Sequence, residues 1–115
     1  MRVDIQARGF SLSEALLTAV EERAHHFRLA FPDLKPHIQV RLYDVNGDRG
    51  GPDKTCELHA RLGFGSRTIV TSDVDADLYN AIAGAFVRLD RAARHQLRRR
   101  YRRRRDTLRL ITETH

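Results

Sequence analysis

Alternating apolar and polar residues predict four β-strands in the chain. In the first, Val3, Ile5 and Ala7 are separated by single polar residues, which is the period of a strand buried on one face. The same period predicts strands at residues 2–7, 37–43, 55–62 and 67–71. Turn-forming residues predict a loop at 46–53 and a hairpin turn at 63–66. The resulting sheet should have one apolar and one polar face.

Apolar residues three or four positions apart predict two helices. Ser11 and Glu14 have the spacing of a capping box, so the first helix should start there and end near Ala30. Its apolar positions are Leu12, Leu16, Ala19, Val20 and Phe27. Acidic residues at 73–77 suit the start of the second helix, expected from about residue 75 to beyond residue 100. Its buried stripe is predicted to be Leu78, Ile82, Phe86, Leu89 and Ala93.

The predicted order of elements, β-α-β-β-β-α, defines the fold class. Both helices must cover the single apolar face of a mostly antiparallel sheet, since no other surface can bury their apolar stripes. We therefore expect an α+β two-layer sandwich, with two helices packed on one face of a four-stranded sheet. The 115 residues are enough for one such domain without disulfides or metal.

The positive charge of the chain is concentrated near its C-terminal end. The formal net charge is +6, from 21 Lys and Arg against 15 Asp and Glu. Residues 88–109 hold 11 arginines and only two acids, a net charge of +9, whereas residues 1–87 hold 10 basic and 12 acidic residues, a net charge of −2. The chain is thus a near-neutral domain with a strongly cationic end.

The second helix should carry its basic residues along one side. Residues four and three positions apart form a line that faces away from the apolar stripe. The line consists of Gly84, Arg88, Arg91, His95, Arg98 and Arg102, flanked by Arg94 and Arg99. Guanidinium groups bind phosphate oxygens bidentately, so such a line can follow a nucleic-acid backbone. A merely solvated helix face is the alternative, but it would usually carry more acids than Asp90 and Asp106.

The tract at residues 98–105 contains seven arginines in eight positions. Their mutual repulsion should fray the helix when the chain is free, whereas phosphates would order it and Tyr101 could stack on a base. Docking of this tail on the domain through Leu108, Leu110 and Ile111 is the alternative. On the first helix, Arg23 and His26 extend the basic surface, which neighbouring glutamates dilute.

Other classes of function find little support in the sequence. The longest apolar run, residues 81–87, is far short of the roughly 20 residues that cross a bilayer. The first residues have no apolar run of signal-peptide length, and Cys56 is the only cysteine, so we expect a cytoplasmic protein without membrane contact. Electrostatic attachment of the tract to an anionic membrane ranks last, because the tract lacks a bulky apolar face.

Catalysis and metal binding are also disfavoured. His25 and His26 diverge on a helix, and Cys56 and His59 lie on opposite faces of a strand, so neither pair forms a metal site. Glu57 shares a face with His59, but without a nucleophile this pair is better interpreted as polar residues on the solvent side of the sheet. We expect no enzyme activity, cofactor, metal or small-molecule substrate.

Several segments resemble the ribosome hibernation-promoting factors, also called ribosome-associated inhibitors. They are Val3-Asp-Ile-Gln-Ala7, Leu12-Ser-Glu-Ala-Leu16, Asp77-Leu-Tyr-Asn-Ala-Ile82 and Arg88-Leu-Asp-Arg91. The likeness extends over residues 1–100, and the family's fold is similar to double-stranded-RNA-binding domains. The resemblance implies a protein, monomeric when free, that binds the small ribosomal subunit and its ribosomal RNA. It would block the messenger and transfer RNA sites and silence idle ribosomes under stress.

The resemblance also indicates which residues contact RNA. By position these are Arg8, Arg23, His26, Arg88, Arg91, His95 and Arg99, to which the basic line adds Arg98 and Arg102. The chain departs from the family in its histidines at 26 and 95 and in its heavier arginine tract. We divide it into a ribosome-binding domain at 1–100 and an arginine-rich extension at 101–115. A general RNA- or DNA-binding module without ribosome specificity remains the alternative function.

Overall fold

The computed structural model describes residues 1–44, 53–63 and 67–113, with side chains as far as residue 109. The elements are β1 (Arg2–Arg8), α1 (Glu14–Ala30), β2 (His37–Asp44), β3 (Lys54–Arg61), β4 (Ile69–Asp75) and α2 (Leu78–Glu113). This order confirms the predicted β-α-β-β-β-α arrangement. Most of the predicted loop at 46–53 and the predicted turn at 63–66 lies outside the described residues.

The four strands form one sheet in the order β1-β2-β3-β4. Strands β1 and β2 are parallel, with Val3 opposite Ile38, and α1 supplies the crossover that a parallel pair needs. The other two pairs are antiparallel, with Val40 opposite Leu58 and Leu58 opposite Thr71. Both helices cover one face, so the predicted α+β two-layer sandwich is confirmed.

The core lies between this sheet face and the two helices. Apolar side chains of β2 and β3 are fully buried there against Val20 and Phe27 of α1 and the predicted stripe of α2. The opposite face of the sheet is polar: the His59 ring and the Glu57 carboxylate are hydrogen-bonded there, and Arg41 Nη1 lies 3.7 Å from Glu57 Oε1. Glu57 and His59 therefore lie on the solvent side of the sheet, as predicted.

The predicted start of the first helix is wrong by two residues. The N-cap is Ser13, whose Oγ accepts a hydrogen bond from the Leu16 backbone N–H at 3.2 Å. Ser13 directly precedes the helix, so its hydroxyl can reach the third helical amide. The capping box that Ser11 and Glu14 were predicted to form is absent, because Glu14 is the first helical residue. The predicted end near Ala30 is confirmed.

The boundary between β4 and α2 also differs from the prediction. Strand β4 runs to Asp75 rather than residue 71, because Val74 pairs with Thr55 and Asp75 with Lys54 across the antiparallel ladder. Pairing with β3 thus extends the strand through residues that had been assigned to the helix start. Helix α2 begins at Leu78, and Asp77 Oδ1 accepts the Tyr79 backbone N–H at 2.8 Å.

Helix α2 is much longer than the domain that it covers. Its 36 residues correspond to about 54 Å, in a molecule whose principal extents are 68 × 23 × 18 Å. Its buried stripe ends at Ala93, with Leu97 packed at the edge of the core. The division predicted at residue 100 thus falls inside one continuous helix. No helix in the described parts of the chain is both long and apolar enough to cross a membrane.

Candidate nucleic-acid interface

The outer face of α2 exposes most of the predicted basic line. The 3.6-residue period places these side chains opposite the buried Ile82, Leu89 and Ala93. The exposed residues are Arg88, Arg91, Arg94, His95, Arg98, Arg99 and Arg102. Because Asp90 and Asp106 are the only acids among the residues from 88 to 109, positive charge predominates on this face along several helical turns.

The first two members of the line have a different role, because they lie where α2 crosses β4. Arg88 Nη2 lies 3.4 Å from Asp73 Oδ1, and Arg88 Nη1 donates to the Ser72 carbonyl oxygen. Gly84 lies against the same carboxylate, and a Cβ at this position would overlap Asp73 Oδ2. Arg88 therefore tethers the helix to the strand, although its side chain is still 57% exposed.

A groove between the two helices brings together basic residues from both. Arg23 and His26 of α1 and Arg91 of α2 line it, as predicted for a two-helix surface. Phe27, Phe86 and Val87 supply apolar lining, Asp90 supplies a carboxylate, and the volume of the groove is about 240 Å³. Three of the predicted contact residues thus share one concave site.

A second basic concavity lies on the other flank of α2. It is lined by Arg67, His95, Gln96, Arg99, Arg100 and Arg103. Arg67 precedes β4 and was not among the predicted contacts, since no sequence pattern connects it with a helix about thirty residues later. The packing of α2 against β4 makes this link, and it joins His95 and Arg99 to the same basic surface.

Arg94 is held by contacts within the domain, although its side chain is 54% exposed. Its Nε donates to Asp90 Oδ2 at 2.8 Å, and its guanidinium carbon lies 5.5 Å from the centre of the Phe31 ring. This hydrogen bond, which the Asp90 carboxylate accepts, is the main cause of the raised pKa of Arg94. Arg94 therefore connects the far end of the core stripe with the end of α1.

Arg8 is separated from the helical residues. In β1, Val3, Ile5 and Ala7 pack against the core, so Arg8 is directed to the polar face of the sheet. There its guanidinium carbon lies 6.0 Å from the centre of the Tyr43 ring. Of the predicted contacts, Arg8 is the one that the structure does not bring together with the others.

The C-terminal part of α2 is a cationic helix that extends beyond the core. We call residues 98–109 the arginine helix; all of them are exposed. The segment continues α2 to Glu113, and its fraying in the free chain stays a prediction. Of the side chains named for these two roles, Leu108 is 58% exposed and Tyr101 is 68% exposed. The side chains of Leu110 and Ile111 lie outside the description.

Metal ligands do not gather anywhere in the described residues: no group of three or more His, Cys, Asp or Glu side chains could hold an ion. Cys56 is fully buried in the core, and this burial, with smaller contributions from Asp73 and Glu57, raises the pKa of its thiol to about 12.

Comparison with known proteins identifies the family. Residues 3–105 match the family model described as "Sigma 54 modulation protein / S30EA ribosomal protein". The N-terminal domain of Protein Y from Thermus thermophilus has a similar structure, with a TM-score of 0.68 and 22% identity, over 80% of this chain and 94% of that chain. A ribosomal subunit interface protein from Coxiella burnetii has a TM-score of 0.66 and 20% identity, over 80% of this chain and 92% of that chain. Sequence comparison with curated proteins gives no match.

Proposed function

The chain belongs to the sigma-54 modulation protein and S30EA ribosomal protein family, and from this membership we propose that it silences idle ribosomes. In this proposal it binds the small ribosomal subunit in the cytoplasm and contacts ribosomal RNA through the basic face of its two helices. Its bulk then blocks the messenger and transfer RNA sites. The family relation agrees with the resemblance found in the sequence.

The exposed basic face of α2 is the observation that carries this proposal. Arg91, His95, Arg98, Arg99 and Arg102 lie along it, and the α1–α2 groove adds Arg23 and His26 at its edge. Arginines repeated along a helix can bind successive phosphates. Occlusion of a channel requires only a folded shape and a charged face, so no bond needs to be made or broken.

A general RNA- or DNA-binding module is the second candidate, favoured by the arginine helix. Its arginines at 98–100, 102–105 and 109 are distributed around the helix rather than along one side, since successive residues turn by about 100°. Phosphate contacts of this kind carry affinity but no sequence information. The two candidates differ in whether binding prefers the small subunit over other RNA.

Co-sedimentation with purified ribosomal subunits distinguishes the two candidates. The proposed function predicts binding to the small subunit in the presence of excess bulk RNA, and little binding to the large subunit. Inhibition of a cell-free translation extract, reversed by a high-salt wash, is the functional readout. Equal binding to both subunits, or complete loss to the competitor, would support the general module instead.

Charge reversal on two faces tests which surface binds. We expect Arg91→Glu with Arg98→Glu to weaken small-subunit binding by at least about 100-fold, since each lost charged hydrogen bond costs roughly 1.5–3 kcal/mol. The matched control is Arg2→Glu with Arg61→Glu, which makes the same charge change on exposed arginines of β1 and β3. The control should bind nearly as well as the wild-type chain. Equal losses in both variants would contradict a defined binding face.

A further inference from the structure

The groove between α1 and α2 combines features that binding of phosphates alone does not require. Phe27 and Phe86 form an apolar floor and are only 4% and 5% exposed, whereas Val87 beside them is 46% exposed. Arg23 and Arg91 line the same groove as these apolar side chains. An apolar surface that is half-exposed at Val87 and bordered by arginines suits a planar apolar group that is attached to a phosphate.

Asp90 adds an acceptor to this groove. It is one of only two acids among the residues from 88 to 109, and in a site that bound only phosphate its charge would weaken binding. Its Oδ2 accepts from Arg94, and its Oδ1 has no hydrogen-bond partner among the described residues. A carboxylate oxygen can accept a hydrogen bond from an exocyclic amino group of a nucleobase.

We propose that the α1–α2 groove is a nucleobase site. One unstacked base of a single-stranded RNA segment lies on the floor of Phe27 and Phe86 against Val87. Asp90 Oδ1 accepts from an amino group of that base, and Arg23 and Arg91 bind the phosphates on either side. This inference rests on the proposed RNA binding by the two-helix face and adds a preference for bases that carry an amino group.

Both the volume and the charges of the groove fit one nucleobase with its flanking phosphates. Its volume of about 240 Å³ provides room for one base and not for a folded segment. Its arginines match the phosphates that every nucleotide carries on both sides, and unpaired bases are the part of RNA that proteins contact in this way. An apolar side chain of a partner protein would fill the floor but would leave the arginines and Asp90 without a match.

The test compares RNA with and without bases. Fluorescence anisotropy measures the affinity of the full chain for single strands of about 12 nucleotides, with cytosine, adenine or uracil bases or with abasic sugars at equal charge. We expect tighter binding of the cytosine and adenine strands than of the uracil or abasic strands. Equal affinity for all four strands, or no binding of any at low salt, would overturn the proposal.

Two variants attribute the preference to the groove. Val87→Phe fills the space, and we expect it to reduce the preference for the cytosine strand over the abasic strand by about fivefold or more, the scale of one stacked base. Its control is Val74→Phe, at a valine of β4 that is 50% exposed on the polar face of the sheet. A preference that comes from stacking on Tyr101 instead would survive in Val87→Phe and would refute the assignment.

The Asp90→Ala variant tests the proposal by the direction in which the affinity for RNA changes. If the groove binds only phosphate, loss of this negative charge strengthens RNA binding, and release of Arg94 strengthens it further. If Asp90 accepts from a base, Asp90→Ala weakens binding of the cytosine strand. Asp106→Ala removes the same charge from the same helix outside the groove and should bind at least as tightly as the wild-type chain.

Tighter cytosine-strand binding by Asp90→Ala would overturn the nucleobase site. This result is separable from the proposed function, because the two have different readouts. Small-subunit co-sedimentation can succeed while the base preference is absent, and the base preference can be present while co-sedimentation fails. Circular dichroism melting of Val87→Phe and Asp90→Ala confirms that each variant is folded before its affinity is interpreted.

Discussion

Removal of the arginine helix beyond Arg99 should change how binding depends on salt while leaving the domain folded. A chain that ends after Arg99 loses six arginines, at 100, 102–105 and 109. Each phosphate contact contributes about 0.7 to the slope of log affinity against log salt for single strands, so six contacts contribute about 4. Between about 50 and 200 mM salt, a slope difference of 4 corresponds to a roughly 250-fold change in relative affinity.

The stability of the shortened chain should differ little from that of the full chain. Residues 101–109 are all exposed, and the buried stripe of α2 ends at Ala93. Surface changes of this kind usually alter the free energy of unfolding by less than about 0.5 kcal/mol. A large fall in the thermal midpoint would show that the arginine helix belongs to the fold and would refute this interpretation of the structure.

The assay is small-subunit co-sedimentation over a series of potassium chloride concentrations. Two full-length controls separate charge from helix length: glutamine at the six positions should lower the slope as much as truncation does, whereas lysine should preserve it. An unchanged slope after truncation would show that these arginines do not contact phosphate. Equal effects of lysine and glutamine would show that charge is not the cause.

Two further predictions concern the contact between α2 and β4 and the buried Cys56. Gly84→Ala should destabilise the chain by about 1 kcal/mol, since overpacking against Asp73 costs more than the gain of about 1 kcal/mol in helix propensity. In the background of Asp73→Ala, where the carboxylate is gone, the same change should stabilise the chain. Urea unfolding of the wild-type chain, the two single variants and the double variant measures the change in the free energy of unfolding in each background. The raised pKa of Cys56 predicts that its stabilising contribution is complete below the pKa of the unfolded thiol, 9.0, and is lost as the pH rises towards about 12, by about 1.4 kcal/mol per pH unit. The difference in unfolding free energy between the wild-type chain and Cys56→Val, measured from pH 8 to 11, checks this, and a pH-independent difference would contradict it.

The fold could be predicted from the sequence because its elements have clear periods. Alternation in β2 and β3 separates Val40 and Leu58, both fully buried, from polar neighbours on the open face, and no competing pattern overlaps them. The stripe of α2 was likewise confirmed from Leu78 to Ala93. Where period, burial and turn chemistry agree, local sequence is sufficient.

The errors lie where two local signals compete. The acids near residue 75 suit both a helix start and a strand end, and only the pairing of Val74 with Thr55 decides between them. Ser11 and Ser13 both offer a hydroxyl for the first helix, and the choice depends on where the backbone turns after β1. Such decisions depend on tertiary contacts that a single sequence does not display.

The arginines of α2 show most clearly what the sequence could not distinguish. By period alone Arg88 and Arg91 are equivalent members of one line, yet Asp73 and the Ser72 carbonyl hold Arg88 against β4, whereas Arg91 lies at the α1–α2 groove. Substitution of Arg88 therefore alters an ion pair of the fold together with any contact to RNA, and a loss of binding in that variant would have two causes. Arg91 and Arg98 contact no β4 acid in the described structure, so their charge reversal reports on RNA binding more directly.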